Sequence, residues 1–401
     1  MEKTTTQRMF QLPEMLWPVE WARERGLYFY LEPVKELRDG RVVVEGRGEM
    51  IMLSSYSYLG LLGHPQIEAA AKEAIDRFST GTHGVRLLAG TLTLHNELEQ
   101  RIARFKDAEA AVVYSSGYVT NLSTISTLVR RGDLVICDKL NHASIVDGCL
   151  LSGARFLRFR HNDMEHLEQR LAQADPGANK LVAVDAVFSM DGDIINLPEV
   201  SRLCRQYGAL LMVDEAHSLG VLGQAGHGIE EHFGLPPEAV DVKMGTLSKT
   251  IPSVGGYIAG SAKLIELLKH QARGFIFSAA LPPAQVGAAL AAFDVIEQEP
   301  ERVASLQHHM AYFRDRLQAL GFDTLNTESA IVPVICREDE KAWTMAKLCQ
   351  DEGLFVQGIP WPVVPQGTAR LRCIVTAAHT PEDIERCLEV IERAGRSTGV
   401  I

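Results

Sequence analysis

Two hydrophobic rhythms alternate along most of this chain. Short, nearly continuous apolar runs, "EAAVVYSSG", "DLVICD", "ARFLRF", "KLVAVDAVFS", "ALLMVDEAH", "VKMGTLS" and "GGYIAG", are separated by longer stretches with apolar residues three and four apart. The runs have the length and character of strands buried on both faces. The stretches "MEHLEQRLAQA", "LPEVSRLCRQYG" and "SAKLIELLKHQA" have helical spacing. This alternation predicts an α/β fold with a mostly parallel, doubly wound sheet. Upstream, "RVVVEGRGEMIMLSSYSYLGLLGHP" reads as a hairpin running into a loop, with Pro65 near the start of the next helix. Downstream, "DVIEQEPERVASLQHHMAYFRDRLQALG" reads as one long helix leaving the unit. Beyond it, "AIVPVICRE", "FVQGIPWPVVP" and "ARLRCIVTAAH" interleave with two helical stretches, as in a small α+β domain. The expected division is an N-terminal segment 1–60, a large domain 61–295 and a small domain 296–401.

Composition narrows the function. A formal net charge of −11 argues against a role that neutralises nucleic-acid phosphates, and no helix-turn-helix extension is visible. The 7 cysteines show no paired spacing, which fits free thiols in a reducing compartment. The opening "MEKTTTQRMFQLPEMLWPVEWARERG" lacks a signal-peptide pattern, and no apolar run could cross a bilayer. The expectation is a soluble cytoplasmic protein.

Polar residues cluster where apolar strands end. Asp214, Glu215 and His217 follow one strand, Ser189 and Asp191 another, and His142 a third, while "YSSGYVTN" opens a helix after a fourth. Ligands of open α/β sheets collect beyond these carboxyl ends. Each residue alone has a plainer reading, as a helix cap or a solvated side chain. "DEAH" could suggest a metal or helicase motif, but no phosphate loop ending in Gly-Lys-Ser/Thr and no second ligand cluster accompanies it, so no metal is expected. His161 and His166 are read as surface residues.

Taken in order, "SYSYLGLLGHP", "GTLTLHNELE", "SSGYVTN", "LNHASIVDG", "VFSMDGDIINLPEV", "LMVDEAHSLGVLGQAGHG", "TLSKTIPSVGGYIAG" and "VPQGTARLRCIVTAAHTPEDIE" resemble the α-oxoamine synthase family of fold-type I pyridoxal-phosphate enzymes. The resemblance covers nearly the whole chain. It implies that Lys249 forms the Schiff base with pyridoxal 5'-phosphate and later removes the substrate Cα proton. By the same match Asp214 pairs with the pyridinium nitrogen. His217 and Ser189 serve the ring hydroxyl, and Ala216 and His142 flank the ring. Ser116, Gly117, Tyr118 and Thr246 hold the phosphate. Ser278 matches a position that reaches the neighbouring subunit's phosphate, implying a homodimer with shared sites. Arg372 matches the clamp for the substrate carboxylate, with Arg370 as second choice.

The implied reaction is a decarboxylative condensation of a small amino acid with an acyl thioester, carried by coenzyme A or an acyl-carrier protein. It yields an α-amino ketone and carbon dioxide. The substrate signals are mixed. Tyr56 replaces an asparagine common in the family and resembles its serine palmitoyltransferases. Val85 and Arg86 stand closer to its 2-amino-3-ketobutyrate ligases. Glycine, alanine and serine therefore stay open. Leu87, Leu88, Ile359, Trp361 and Val363 could line an acyl groove or simply belong to the core. An aminotransferase would share Asp214 and Lys249, but not "SMDGDIINLPEV" together with "DEAHSLGVLG". A non-catalytic partner subunit would be expected to lack Lys249.

Overall fold

The computed structural model describes residues 13–29, 31–38, 40–175 and 177–401, without the side chains of 13–18 and Arg38. The first twelve residues of the opening segment lie outside this range. Its remainder opens with a helix, Pro13–Glu24.

Three sheets organise the chain. The first joins β1 (Val34–Arg38), β2 (Arg41–Val44) and β3 (Gly48–Met52) to β12 (Leu354–Phe355). The central sheet holds β4 (Ala110–Tyr114), β5 (Leu134–Asp138), β6 (Arg155–Phe159), β7 (Lys180–Asp185), β8 (Leu210–Asp214), β9 (Val242–Thr246) and β10 (Gly256–Gly260), in the order β4-β10-β9-β8-β7-β5-β6. The third contains β11 (Ile331–Arg337), β13 (Gly358–Ile359) and β14 (Ala369–Ile374).

In the central sheet only β10 runs antiparallel to its neighbours. The sheet's continuous apolar runs have a direct cause. Leu134 and Ile136 of β5 enter the core on one face, while Val135 and Cys137 enter the core on the other. Period-2 side chains of β5 thus meet a covering layer on both sides, which favours apolar residues at successive positions. The parallel strands all aim their carboxyl ends at one rim, so the loops after β5, β7, β8 and β9 share an edge.

The single long helix expected near residue 300 is two helices, Pro283–Gln298 and Glu301–Ala319. Pro300 has no N–H to donate and crowds the preceding turn, so the first helix ends before it. The second helix bridges two cores: Val303 and Leu306 enter the core of the central sheet, and Phe313 and Leu317 enter the C-terminal one. Ile51 and Leu53 also enter that C-terminal core, because β12 pairs in parallel with β3. The expected hairpin is present, with Pro65 opening helix Pro65–Phe78. The run "FVQGIPWPVVP" contributes only the second residue of β12 and the two-residue strand β13. All 7 cysteines are free and buried, and among the described residues no helix is long and apolar enough to cross a membrane.

Candidate active site

Lys249 sits in the loop that leaves β9. Its Nζ lies 2.8 Å from His217 Nε2 and 5.3 Å from the centre of the Tyr56 ring. Burial pulls its pKa down from 10.5 to about 8; Asp214 opposes that shift and Arg372 adds to it. About a tenth of the amine is therefore neutral and nucleophilic at pH 7, some hundreds of times more than for an ordinary lysine. His217 is buried and held well below the usual histidine range, first by burial and then by the positive charges of Lys249 and Arg372. The neutral ring bridges Lys249 to the Tyr58 hydroxyl, 2.6 Å from Nδ1.

Asp214 ends β8 with one oxygen accepting from the Ala216 amide at 2.9 Å and the other from Asn121 Nδ2 at 2.7 Å. The same Asn121 nitrogen donates to Ser144 Oγ at 2.9 Å, and Asn121 Oδ1 is buried without a partner. Beside it in register, Asp185 of β7 accepts from the His142 amide at 2.7 Å. Burial and the adjacent Asp214 carboxylate push the Asp185 carboxyl well above its usual range. His142 caps helix Ala143–Ser152, with Nδ1 2.8 Å from Ser144 Oγ and the Tyr118 ring edge-on at 6.3 Å. Burial lowers its pKa, so it too favours the neutral form.

Ser116 caps helix Gly117–Leu128, its Oγ accepting from the Val119 amide. A Cβ on Gly117 would lie 3.0 Å from Thr246 Oγ1, and one on Gly256 would meet the Gly117 backbone. Glycine at both positions lets β9, β10 and the helix start close on one another, bringing Thr246 to a set of free helix N–H groups. Tyr118 turns its hydroxyl outward to Asp147 and so contributes to this cradle through its backbone only.

Arg372 of β14 completes the cluster. Its Nε donates to the Ser189 carbonyl at 2.6 Å, its guanidinium lies 5.1 Å from the Tyr56 ring centre, and its Nη2 is buried without a partner. Arg370 is fully committed, to the Thr368 and Met190 carbonyls and to Asp191. Arg86 and Ser278 are placed elsewhere. Arg86 donates to Glu99 at 2.9 Å and to Thr91, and both Arg86 and Ser278 border a small cavity beside Ser115 and Phe275. Leu87 and Leu88, on the turn Arg86–Gly90, are exposed, as are Trp361 and Val363.

His161 is not the surface residue expected. It is half-buried between Asp138, at 3.0 Å, and Asp193, at 2.8 Å. Burial disfavours its charge, but the two carboxylates outweigh burial and raise its pKa to about 10. His166 is half-buried too, accepting from the Arg160 amide at 2.8 Å. Among the described residues, His161, Asp191 and Asp193 converge to within 4.8 Å in the manner of a metal site. Their charges are already matched by the imidazolium and by Arg370, and the group fastens the loop that carries Ser189.

Three further residues of the site, Tyr58, Asn121 and Asp185, are not singled out by sequence reasoning. All three are buried polar residues: Asp185 ends β7, Asn121 lies just past the first turn of helix Gly117–Leu128, and Tyr58 sits in the turn that follows β3, where nothing local marks it.

The residues present fit a pyridoxal phosphate. They supply a lysine whose pKa burial lowers to about 8, an anchored carboxylate, a helix N-terminus cleared by glycine, and two buried polar atoms, Asn121 Oδ1 and Arg372 Nη2, left without partners. The family model of class I and II aminotransferases matches residues 48–391, and the chain belongs to that family. Within it the chain is an α-oxoamine synthase, a PLP-dependent acyltransferase that condenses a small amino acid with an acyl thioester and releases carbon dioxide. It is 50% identical to the 8-amino-7-oxononanoate synthase of Geobacter sulfurreducens over 386 residues, covering 96% of this chain and 98% of that one. The same enzyme of Symbiobacterium thermophilum is 46% identical, with 94% and 96% covered. A serine palmitoyltransferase structure from S. paucimobilis with bound PLP-myriocin superposes with a TM-score of 0.93 at 35% identity, covering 98% of this chain and 100% of that one.

Proposed function

We propose that the amino acid is alanine and the acyl group a seven-carbon dicarboxylic monothioester, giving 8-amino-7-oxononanoate. The names of the two relatives above support this reading. Working backward from that product, the carbon bearing the amino group and its methyl are alanine without its carboxylate. The other seven carbons, ending in a carboxylate, are a pimeloyl unit. Alanine plus pimeloyl thioester yields the amino ketone, carbon dioxide and the free thiol, so every atom is placed.

The observation that carries the amino-acid half is Arg372. One arm is fixed on Ser189 and the other is buried, unpaired and close to Tyr56, the ring that also faces Lys249. A carboxylate there would satisfy Nη2 with a charge-assisted bond and set the substrate Cα beside Lys249. When bound, the cofactor draws electron density away from the bonds at that carbon. Asp214, held rigid by Asn121 and Ala216, is the partner for the ring nitrogen; Ser189 and His217 serve the ring hydroxyl. Ser116, Gly117, Tyr118 and Thr246 hold the phosphate. Lys249, being easily neutral, accepts the Cα proton, and His142 lies beside the helix start to orient the departing carboxylate.

We also infer a homodimer. Segment 84–85 is hydrogen-bonded to 279–280, which puts exposed Leu87 and Leu88 on the same surface as exposed Phe277, next to Ser278. Such a patch is suited to a second copy, whose phosphate site Ser278 would reach. We place the reaction in the cytoplasm, consistent with free buried cysteines.

Titrating the purified yellow protein with alanine, glycine and serine tests the amino-acid assignment. Alanine should shift the visible band at the lowest concentration, and its mixture with a pimeloyl thioester should yield a product of the expected mass. A response to serine alone would replace the reading with a serine-using synthase. Sedimentation of a fully active monomer would remove the shared-site dimer.

A further inference from the structure

A cavity of about 340 Å³ opens next to the cluster, between the loops after β5 and β7 and the segment before β14. Its apolar wall includes Leu140, Phe188, Met190, Val363 and Val364. Each large wall segment leads within a few residues to the site: Leu140 to His142, Met190 to Ser189, and the β14 side through Arg370 to Arg372. An acyl chain lying here would run along an apolar surface bordered by the segments that carry His142, Ser189 and Arg372.

Two cations border this cavity, Arg370 and Lys139. Arg370 is spent on Asp191 and two carbonyls, with its side chain 2% exposed. Lys139 is exposed, and its ammonium makes no hydrogen bond or ion pair among the described residues. Asp191, the acidic residue on the lining, is already neutralised by Arg370. The cavity thus presents an apolar wall with one uncommitted positive charge at its rim. That arrangement complements a chain that is apolar along its length and anionic at its far end.

We propose that Lys139 is a specificity-determining residue that pairs with the terminal carboxylate of the acyl substrate, selecting a dicarboxylic over a simple fatty acyl chain. This rests on the pimeloyl reading above. Because the ammonium is solvated at the rim, the pairing is screened by salt, and its contribution appears as discrimination between chains more than as raw affinity.

The test compares the holoenzyme's kcat/KM, with saturating alanine, for pimeloyl-CoA and for heptanoyl-CoA, equal in length but lacking the terminal charge. The wild type should prefer pimeloyl-CoA at low ionic strength by about fivefold or more, a preference that falls as salt is raised. Lys139→Ala should collapse the preference, Lys139→Glu should reverse it, and Lys139→Arg should keep it. The visible band of the bound cofactor and its response to alanine report that each variant is folded and loaded. A wild type that makes no amino ketone from either pimeloyl-CoA or pimeloyl-carrier protein would remove the pimeloyl reading and this inference with it. A wild type that uses pimeloyl-CoA, but whose preference survives in Lys139→Ala and Lys139→Glu, would overturn the inference alone. Equal losses with both substrates would also overturn it, since Lys139 would then contact the coenzyme rather than the chain's end.

Discussion

Lys243 and Lys249 leave the same short run around β9 and receive opposite treatment. Lys243, at the amino end, is buried and fully matched: its Nζ is 2.8 Å from Glu230 and 2.9 Å from the Lys106 carbonyl. Lys106 in turn pairs with Glu215 at 2.7 Å, and Glu215 also accepts from Ser218 and the Ile229 amide. Lys249, at the carboxyl end, faces a neutral imidazole and forms no ion pair among the described residues. Both are taken from water, but only one is given a counter-ion, and the other responds by shedding its proton easily. A buried lysine meant to hold the fold is paired; one meant to react is left short of a partner.

This contrast can be broken in steps of decreasing size. Lys249→Ala should abolish the visible band of the loaded protein and lower turnover by about a thousandfold or more, measured with alanine and the thioester. Its urea midpoint should stay the same or rise, since no pair is lost. Lys106→Ala should do the reverse, costing about 3–5 kcal/mol in urea unfolding because it strands the Glu215 carboxylate in the core. Arg372→Ala removes a charged hydrogen bond of about 2 kcal/mol and should raise the alanine KM roughly thirtyfold with cofactor still bound. Arg372→Lys should restore little, as an ammonium cannot hold Ser189 and a carboxylate in the same planar fork.

The last effect is a pH slope, of about 2 kcal/mol between pH 8 and pH 10. Folding lowers the Lys249 pKa from 10.5 to about 8, so between these values the unfolded chain carries more protons than the folded one. Stability of the cofactor-free chain should therefore gain from Lys249 as pH rises through that window, a gain that Lys249→Ala removes. Urea unfolding of both chains at pH 8 and pH 10 reads the difference directly.

The central sheet was legible because most of its strands are buried on both faces and so read as nearly unbroken apolar runs, with only the edge strand β6 carrying exposed arginines. The rim was legible because chemistry-bearing residues recur where those runs stop. Less visible were features set by distant contacts. Nothing local marks β12, two residues long, as the partner of β3. His161 looks like a solvated helix-side histidine until the end of β5 and the loop after β7 bring Asp138 and Asp193 to either side of it. The difference between Arg370 and Arg372 was also hidden. They are two residues apart on one strand face, and only the Ser189–Asp191 loop decides that Arg370 is ion-paired while Arg372 keeps Nη2 unpartnered.

The pairing of β3 with β12 also bears on the order in which the protein can be made. Some 300 residues separate the two strands. At about 5–20 residues per second, β3 leaves the ribosome roughly 15–60 s before its neighbour exists. Throughout that interval the hairpin has an open hydrogen-bonding edge, and Ile51 and Leu53 lack the core that will cover them. Arg372 emerges later still, so the nascent chain can complete its central sheet well before it can grip an amino acid.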